Sequence, residues 1–292
     1  MCQFYLGNNG LLSPSSEIII VNETGKTKLF ENTVEAMCRI HGSNLLDILV
    51  SENEISLNNN ELFLNRILTG NPHADATRLI GSIAEVLVAN YCKKHVELNR
   101  YLGMCARYSS ITHQVLDNYI PIVTGSYQTK LNYGLYYNPS DTQRDIVWIR
   151  KDDHNSQLNC VRPKPSAQSS KPAGLQIKVS HDYRYVLSSI KGNHYPVLYF
   201  DLNNDWSYLY RSLSDIKNSA GFSIAYFLVA HNDITNYIKE ELKSYFNIIV
   251  KIFNNEMSLK QLIDIAKNDG KNEIIKGLNL ANLDGRDKIS IG

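Results

Sequence analysis

Two stretches of the sequence decide its fold: DIVWI at residues 145–149 and LQIKV at residues 175–179. The first begins with an acid and continues with four apolar residues, which predicts a buried strand with a carboxylate at its mouth. In the second, Gln176 and Lys178 lie two positions apart, so both side chains point to the same face of a strand. These three polar residues on apolar strands are the first candidates for chemistry.

A helix earlier in the chain supplies a fourth candidate. Apolar residues recur at helical spacing from about residue 75 to residue 95, and Glu85 is the one carboxylate within the apolar run at 83–89. Its neighbours one turn away, Gly81 and Ala89, are small, which would let the helix approach a sheet closely. A carboxylate buried at such a junction is costly unless a cation or hydrogen bonds compensate it.

The four residue types suit a metal site. Carboxylate and amide oxygens from Glu85, Asp145 and Gln176 can surround a hard cation, and an ammonium group such as Lys178 can orient water or offset phosphate charge. Asp141 is a rival acid in the loop before Asp145. Taken singly, each residue has an ordinary explanation, namely a salt-bridged helix acid, an acid at a strand end, or the water-facing side of an amphipathic strand.

Taken together, the four residues resemble the PD-(D/E)XK nuclease superfamily. The shared order is a helix with an inward Glu, then an Asp at a strand start, then a polar-x-Lys strand, and it covers about residues 75–230. Two features depart from the family pattern. Gln176 stands where the family usually has an acid, and the proline that often directly precedes the Asp is here Pro139, six positions before Asp145. The resemblance implies an α/β protein with a restriction-endonuclease-like core. In that core a central mixed sheet is flanked by helices, and helical additions are expected at both the N- and C-terminal ends.

The resemblance also implies a function. The implied protein is a Mg²⁺-dependent endonuclease that hydrolyses DNA phosphodiester bonds, and Mn²⁺ is expected to substitute for Mg²⁺. Its implied setting is a restriction or other anti-phage defence system. Glu85, Asp145 and Gln176 would be the metal ligands, and Lys178 would orient or activate the nucleophile. DNA is the expected partner, a partner protein of the defence system could control the cut, and a homodimer would provide the two active sites that cutting both strands requires. Two alternatives stay open: a non-catalytic nucleic-acid-binding or scaffolding subunit, which Gln176 favours, and an RNA-directed nuclease.

The flanking sequence divides the chain into three expected parts. Residues 1–72 form an accessory region, 73–231 the nuclease-like core and 232–292 a helical C-terminal region. The accessory region is predicted to hold a hairpin over 17–30, a helix over 32–50 with a break near Gly42, and a short helix through Phe63.

Composition excludes several classes of protein. The 43% of hydrophobic residues is enough for a folded core. The net charge of +1 is not that of a strongly basic protein that binds polyanions. The five cysteines lack CxxC spacing, which argues against a disulfide framework or a cysteine-rich zinc site. The sequence has no phosphate-binding glycine loop, HExxH or GxSxG motif. Without a recognisable signal peptide or a long apolar run, a cytoplasmic protein with no membrane partner is expected.

Tyrosine is frequent, with 18 residues. Most of them are expected in the core or at interfaces. Those beside cations, such as Tyr183 and Tyr185 around Arg184, also suit stacking on bases and contact with phosphates.

Overall fold

A computed structural model describes residues 3–5, 18–21, 27–30, 33–58, 61–108, 113–160, 171–192, 195–220 and 228–267. Within them the chain is a mixed α/β protein, mostly helical, with small sheets. The helices are α1 (Thr33–Ser51), α2 (Pro72–Lys94), α3 (Val96–Arg107), α4 (His113–Leu116), α5 (Tyr127–Asn132), α6 (Tyr183–Gly192), α7 (Trp206–Ala220), α8 (Asp233–Phe253) and α9 (Leu259–Lys267). The strands are β1 (Gln3–Tyr5), β2 (Ile18–Val21), β3 (Thr27–Phe30), β4 (Ile55–Asn58), β5 (Glu61–Leu64), β6 (Tyr119–Val123), β7 (Ile146–Arg150), β8 (Gln176–Ser180) and β9 (Val197–Asp201).

The chain divides into two compact units. The first comprises Met1–Ala76 and Ser244–Gly292, and the second comprises Thr77–Lys243. The domain boundaries expected from the sequence stay a prediction. None of the helices in the described part of the chain is long and apolar enough to cross a bilayer.

The first unit confirms one sequence prediction and corrects two. The predicted hairpin is present, since β2 pairs antiparallel with β3, and β1 adds a further strand. The predicted break near Gly42 is wrong because α1 is continuous. A Cβ added at Gly42 would lie 3.1 Å from Leu262 Cδ1 of α9, so the glycine allows these two helices to pack closely.

The second correction concerns Phe63. The short helix predicted there is wrong, because β4 and β5 form an antiparallel hairpin in which Ser56 pairs with Phe63. Leu62 is buried and Phe63 is exposed, which is the two-residue alternation of a half-buried strand.

Helix α2 begins with Pro72, whose fixed φ and missing N–H suit the first helical position. Asn71 precedes it, and its Oδ1 accepts the Ala74 N–H at 3.1 Å. Asp75 and Thr77 also suit a cap in sequence, but Asp75 accepts the N–H of Thr69 at 2.9 Å and its hydroxyl at 2.8 Å.

The second unit contains the two stretches on which the prediction rests. β6 pairs antiparallel with β7, β8 pairs parallel with β9, and α6 lies between β8 and β9 in the chain. Single bridges join Ile146 to Leu175 antiparallel and Val197 to Leu228 parallel. The strands predicted at 145–149 and 175–179 are therefore confirmed.

Other predictions in this unit fare differently. The aromatic run at 133–137 favours a β-strand in sequence, but this expectation is wrong, since Gly134–Tyr136 is a 3-10 turn. Helices α3 and α7 were not anticipated. The prolines and serines of residues 152–173 favour a loop, and the apolar residues at 223–230 favour a strand. Residues 161–170 and 221–227 lie outside the described residues.

A hydrophobic cluster covers one face of β9. Val197 and Tyr199 point into it, and the remaining members come from α6, α7 and the bridge at Leu228: Val186, Ile190, Leu209, Leu213 and Leu228. This packing fixes α6 and α7 on the same face of the parallel pair and determines which face of β8 lies beneath them.

Candidate active site

Asp145 lies immediately before β7, and its backbone is held on both sides. The N–H groups of Asp145 and Ile146 both donate to Leu175 O at 3.0 Å, while Asp145 O accepts the Thr124 N–H at 2.9 Å. Two N–H groups that share one carbonyl form the hydrogen-bond pattern of a β-bulge, a local irregularity that redirects a side chain. The backbone therefore fixes where the Asp145 carboxylate can point.

In the described part of the chain, that carboxylate accepts one hydrogen bond. Oδ2 accepts the Ile177 N–H at 2.7 Å, and no group among the described residues donates to Oδ1. Burial raises the pKa of Asp145 to about 6, and the nearby negative charge of Asp141 adds to the rise, whereas the Ile177 hydrogen bond and the Lys178 charge oppose it. A cation at Oδ1 would compensate the cost of ionising this acid.

Gln176 ties β8 to the loop before Asp145. It is only 2% exposed, and its Nε2 donates to Thr142 O at 2.6 Å. Because a carbonyl only accepts, the amide nitrogen must face the Thr142 carbonyl. An ionised Glu at this position would put a carboxylate against the Thr142 carbonyl. The burial of the Gln176 side chain also shows that one ordinary explanation, a polar side of the strand turned to water, is wrong at this residue.

Lys178 lies beneath the helical layer. In the parallel register Gln176 is opposite Val197 and Lys178 is opposite Tyr199. Residues in register share a face of the sheet, so both polar side chains of β8 lie on the face that α6 and α7 cover. Lys178 is half-buried, and its charge acts on Asp145. Asp145, Gln176 and Lys178 thus meet at the junction of β7 and β8.

Asp141, the rival acid, has a structural role. Its Oδ1 accepts the N–H groups of Gln143 at 2.9 Å and Arg144 at 3.1 Å, and Oδ2 pairs with Arg144 Nε at 3.1 Å. A Cβ added at Gly174 would lie 2.6 Å from Arg144 Cγ and Cδ, so the glycine makes room for that side chain. Asp141 therefore shapes the turn that leads to Asp145.

Glu85 is half-buried on α2, and the hydrogen bonds given above join Asp145 to Ile177 and Gln176 to Thr142. The close helix approach expected of its small neighbours is not seen at Gly81, because a Cβ added there meets nothing within 4 Å. In the described part of the chain no three His, Cys, Asp or Glu residues cluster as a metal site. The predicted ligand set has two carboxylates and an amide, and it stays a prediction.

A second acidic group, which was missed from the sequence, follows β9. Asp205 Oδ1 accepts the Tyr199 hydroxyl at 2.7 Å, and Oδ2 accepts the Tyr183 N–H at 2.8 Å. Asp201 Oδ2 accepts the Trp206 N–H at 3.0 Å, and its carboxylate pairs with Lys239 at 3.2 Å. The available signal was that Asp201 comes directly after the apolar run at 197–200.

The junction of β7 and β8 thus offers one incompletely compensated acid, a buried amide and a half-buried ammonium group. An oxygen-rich site beside a fixed cation is suited to binding a hard metal ion and a phosphate. Compared with known proteins, the chain matches no family model, no curated protein and no solved structure.

Proposed function

We propose that the chain is a Mg²⁺-dependent endonuclease that hydrolyses DNA phosphodiester bonds at the junction of β7 and β8. The observation that carries the proposal is Asp145, a partly buried acid with a raised pKa, with the Lys178 charge acting on it and with no donor to Oδ1 among the described residues. The elements α2, β6, β7, β8, α6 and β9 follow one another in that order, with α3 and α4 before β6 and α5 after it. This supports the proposal, because a restriction-endonuclease-like core is expected to place its helix, strands and crossover helix in that order.

The residue types of the proposed site suit a hard cation. Asp145 Oδ1, Gln176 Oε1 and the Glu85 carboxylate would hold it, and all three are oxygen donors of the kind that Mg²⁺ and Mn²⁺ prefer. When bound, the ion supplies Lewis-acid stabilisation of the charge that develops on the phosphate. Gln176 remains anchored through Nε2, so its contribution as a ligand is limited to one neutral oxygen.

Lys178 would act on the substrate phosphate or on the attacking water. Its half-buried ammonium group would bind a phosphate oxygen or hold the attacking water near the scissile bond. The protein around it is low in dielectric, so a fixed charge acts more strongly there than in water. Lys178 also favours the ionised form of Asp145, which the cation requires.

The proposed setting is a restriction or other anti-phage defence system, with a homodimer to cut both strands. One observation favours a second candidate, a nucleic-acid-binding subunit without full activity. Gln176 is engaged as a structural bridge to Thr142, whereas an acid at this position would be a stronger ligand.

The test is cleavage by the purified full chain of supercoiled plasmid, linear single-stranded DNA and RNA, each with Mg²⁺ and with EDTA. We expect cleavage of DNA with Mg²⁺ only. The Lys178→Ala variant should be slower by about 10²–10³-fold or more, because it loses a positioned charge at the reacting phosphate.

The matched control is Lys243→Ala. Lys243 is also half-buried, but it pairs with Glu240 and Asn204, whereas the charge that acts on Asp145 is that of Lys178, so wild-type cleavage is expected. Retention of DNA without cleavage of any substrate would favour the binding subunit, and cleavage of RNA alone would favour the RNA-directed nuclease. Equal rates in both lysine variants would exclude the proposed site.

A further inference from the structure

Three basic residues of the second unit come together beside the proposed site. They are Arg107 at the end of α3, Arg144 directly before Asp145, and Lys171 in the segment that leads into β8, and we call them the basic cluster. Each side chain is half-buried, so solvent reaches the charges and screens them only in part. The whole chain has a net charge of +1, and a local concentration of positive charge is therefore the feature that indicates an anionic ligand.

Cys160 marks the place where the three residues meet. Its Sγ lies 3.7 Å from the carbonyl oxygen of the residue before Arg107 and 3.6 Å from that of the residue after Lys171. The Cys160 N–H also donates to Lys171 O at 2.8 Å. Burial raises the pKa of the Cys160 thiol to about 11, and the positive charges of Arg144, Arg107 and Lys171 oppose the rise. The thiol is therefore neutral at pH 7 and does not compensate the basic cluster.

The Arg144 guanidinium lies between an acid and an aromatic ring. Its Nε donates to Asp141 Oδ2 at 3.1 Å, and its Cζ lies 5.8 Å from the centroid of the Tyr195 ring. A guanidinium group has several N–H donors, and this ion pair uses one of them. The charges that act on Asp145 are those of Lys178 and Asp141, so the basic cluster is separate from the proposed metal site.

The charge of the basic cluster is balanced only at Arg144. In the described part of the chain, Arg107 and Lys171 form no ion pair or side-chain hydrogen bond, and Arg107 Nε is buried there without an acceptor. The carboxyl end of α3 offsets part of the Arg107 charge. In sequence, the adjoining segments 109–112 and 161–170 contain no Asp or Glu. A buried ionic donor without an acceptor is unfavourable, and a bound anion would remove that penalty.

We propose that the basic cluster is a binding site for a phosphate group. The two guanidinium groups suit paired hydrogen bonds to phosphate oxygens, and the ammonium group adds a point charge. Two sources supply such a group, a small phosphate compound and a nucleic-acid backbone. The backbone is the source that the proposed function implies, because Arg144 directly precedes Asp145. That choice of source rests on the proposed function, whereas the site itself does not.

The first measurement tests the site without DNA. Inorganic phosphate is titrated calorimetrically into the full chain in EDTA at constant ionic strength. We expect Arg107→Met and Lys171→Met each to raise the Kd for phosphate about tenfold, since each removes a charge-assisted hydrogen bond. Both substitutions keep an apolar stem, and Lys171→Arg keeps the charge and should retain phosphate binding.

The matched control is Arg150→Met. It removes the same charge from an exposed residue that pairs with Asp152, so the Kd for phosphate should be that of the wild type. Unfolding midpoints in chloride distinguish binding from folding. The positive charges of the basic cluster repel one another there, so Arg107→Met and Lys171→Met should be at least as stable as the wild type.

The second measurement identifies the source of the phosphate. Binding of labelled duplex DNA is followed in EDTA at several salt concentrations, because each backbone phosphate contact contributes about 0.9 to the slope of log K against log salt. In a backbone site, Lys171→Met should lower that slope by about 1, and Arg150→Met should leave it unchanged. Weaker phosphate binding in Lys171→Met with an unchanged slope would retain the site and assign it to a small phosphate compound.

The proposal is overturned if Arg107→Met and Lys171→Met bind phosphate as the wild type does and also leave the DNA slope unchanged. It is equally overturned if Arg150→Met weakens binding as much as they do, or if they lose stability in chloride, since the two residues would then support the fold. Cleavage is decided separately by Mg²⁺ and Lys178→Ala. A phosphate site without a nuclease and a nuclease without this site are therefore distinguishable.

Discussion

Two acids of the second unit, Asp145 and Asp205, differ in what surrounds their carboxylates. Both oxygens of Asp205 accept hydrogen bonds, from the Tyr199 hydroxyl and the Tyr183 N–H. Asp145 has the Ile177 N–H on one oxygen only, and burial raises its pKa. A fully bonded acid stabilises the fold, whereas an acid left incompletely compensated stores free energy that a bound cation can release. The number of hydrogen bonds to the carboxylate thus distinguishes Asp205, an acid that stabilises the fold, from Asp145, an acid suited to binding a cation.

Removing the structural acid should have the largest effect on stability. Asp205→Ala leaves the Tyr183 N–H without its acceptor and the buried Tyr199 hydroxyl with the longer bond to Ser180 O at 3.3 Å, so we expect the free energy of unfolding to fall by about 3 kcal/mol in urea titrations. The exposed acid Asp215 on α7 is the control, and Asp215→Ala should change stability by about 0.5 kcal/mol or less. A similar small change in both variants would remove the distinction between the two acids.

Gln176→Glu tests whether the amide beside Asp145 is a bridge or a replaced ligand. At pH 7 the new carboxylate would face the Thr142 carbonyl, so we expect a loss of about 2 kcal/mol, which shrinks near pH 4 when the acid is protonated and can donate. Gln128→Glu, at an exposed amide on α5, should be nearly neutral. A Gln176→Glu variant as stable as the wild type and with tighter Mn²⁺ binding would make this position a simple ligand site.

The sequence predicts the parts of the site that depend on local pattern. The acid before an apolar run placed Asp145 at the start of β7, and the two-residue period placed Gln176 and Lys178 on one face of β8. It could not tell which face α6 and α7 cover, because that depends on packing between elements distant in the chain. The Gln176 bond to Thr142 spans 34 residues and leaves no local signal.

The same limit explains the errors in the fold. The glycine at 42 has the low helix propensity that indicates a break, but its contact with Leu262 makes it an advantage in α1. The apolar residues at 62–64 fit a helix or a strand over so short a range, and only pairing with β4 decides between them. For Glu85 the helical pattern predicted an inward-facing carboxylate, but it could not predict where that carboxylate lies relative to Asp145.

The most direct test of the proposed site is the stability of Asp145→Asn against the wild type, with and without Mn²⁺. The native pKa of Asp145 is raised to about 6, so the folded state holds its proton more tightly than the unfolded state. Stability therefore falls as pH rises from about 4 to about 6, and the penalty is complete at pH 7. In EDTA at pH 7, Asp145→Asn keeps an acceptor for the Ile177 N–H and should be about 2 kcal/mol more stable than the wild type, a gain that disappears below about pH 4.

Adding Mn²⁺ should reverse the order, because the ion stabilises the wild type by mass action and finds no anionic Oδ in the variant. Asp141→Asn is the control and should be less stable than the wild type in either condition, since Asp141 pairs with Arg144. Unfolding midpoints that show Asp145→Asn gaining stability in EDTA and losing the response to Mn²⁺ are the result predicted. Two results together would contradict a metal site at Asp145. One is that Asp145→Asn is less stable than the wild type in EDTA, as Asp141→Asn is expected to be. The other is that Mn²⁺ stabilises the variant and the wild type equally.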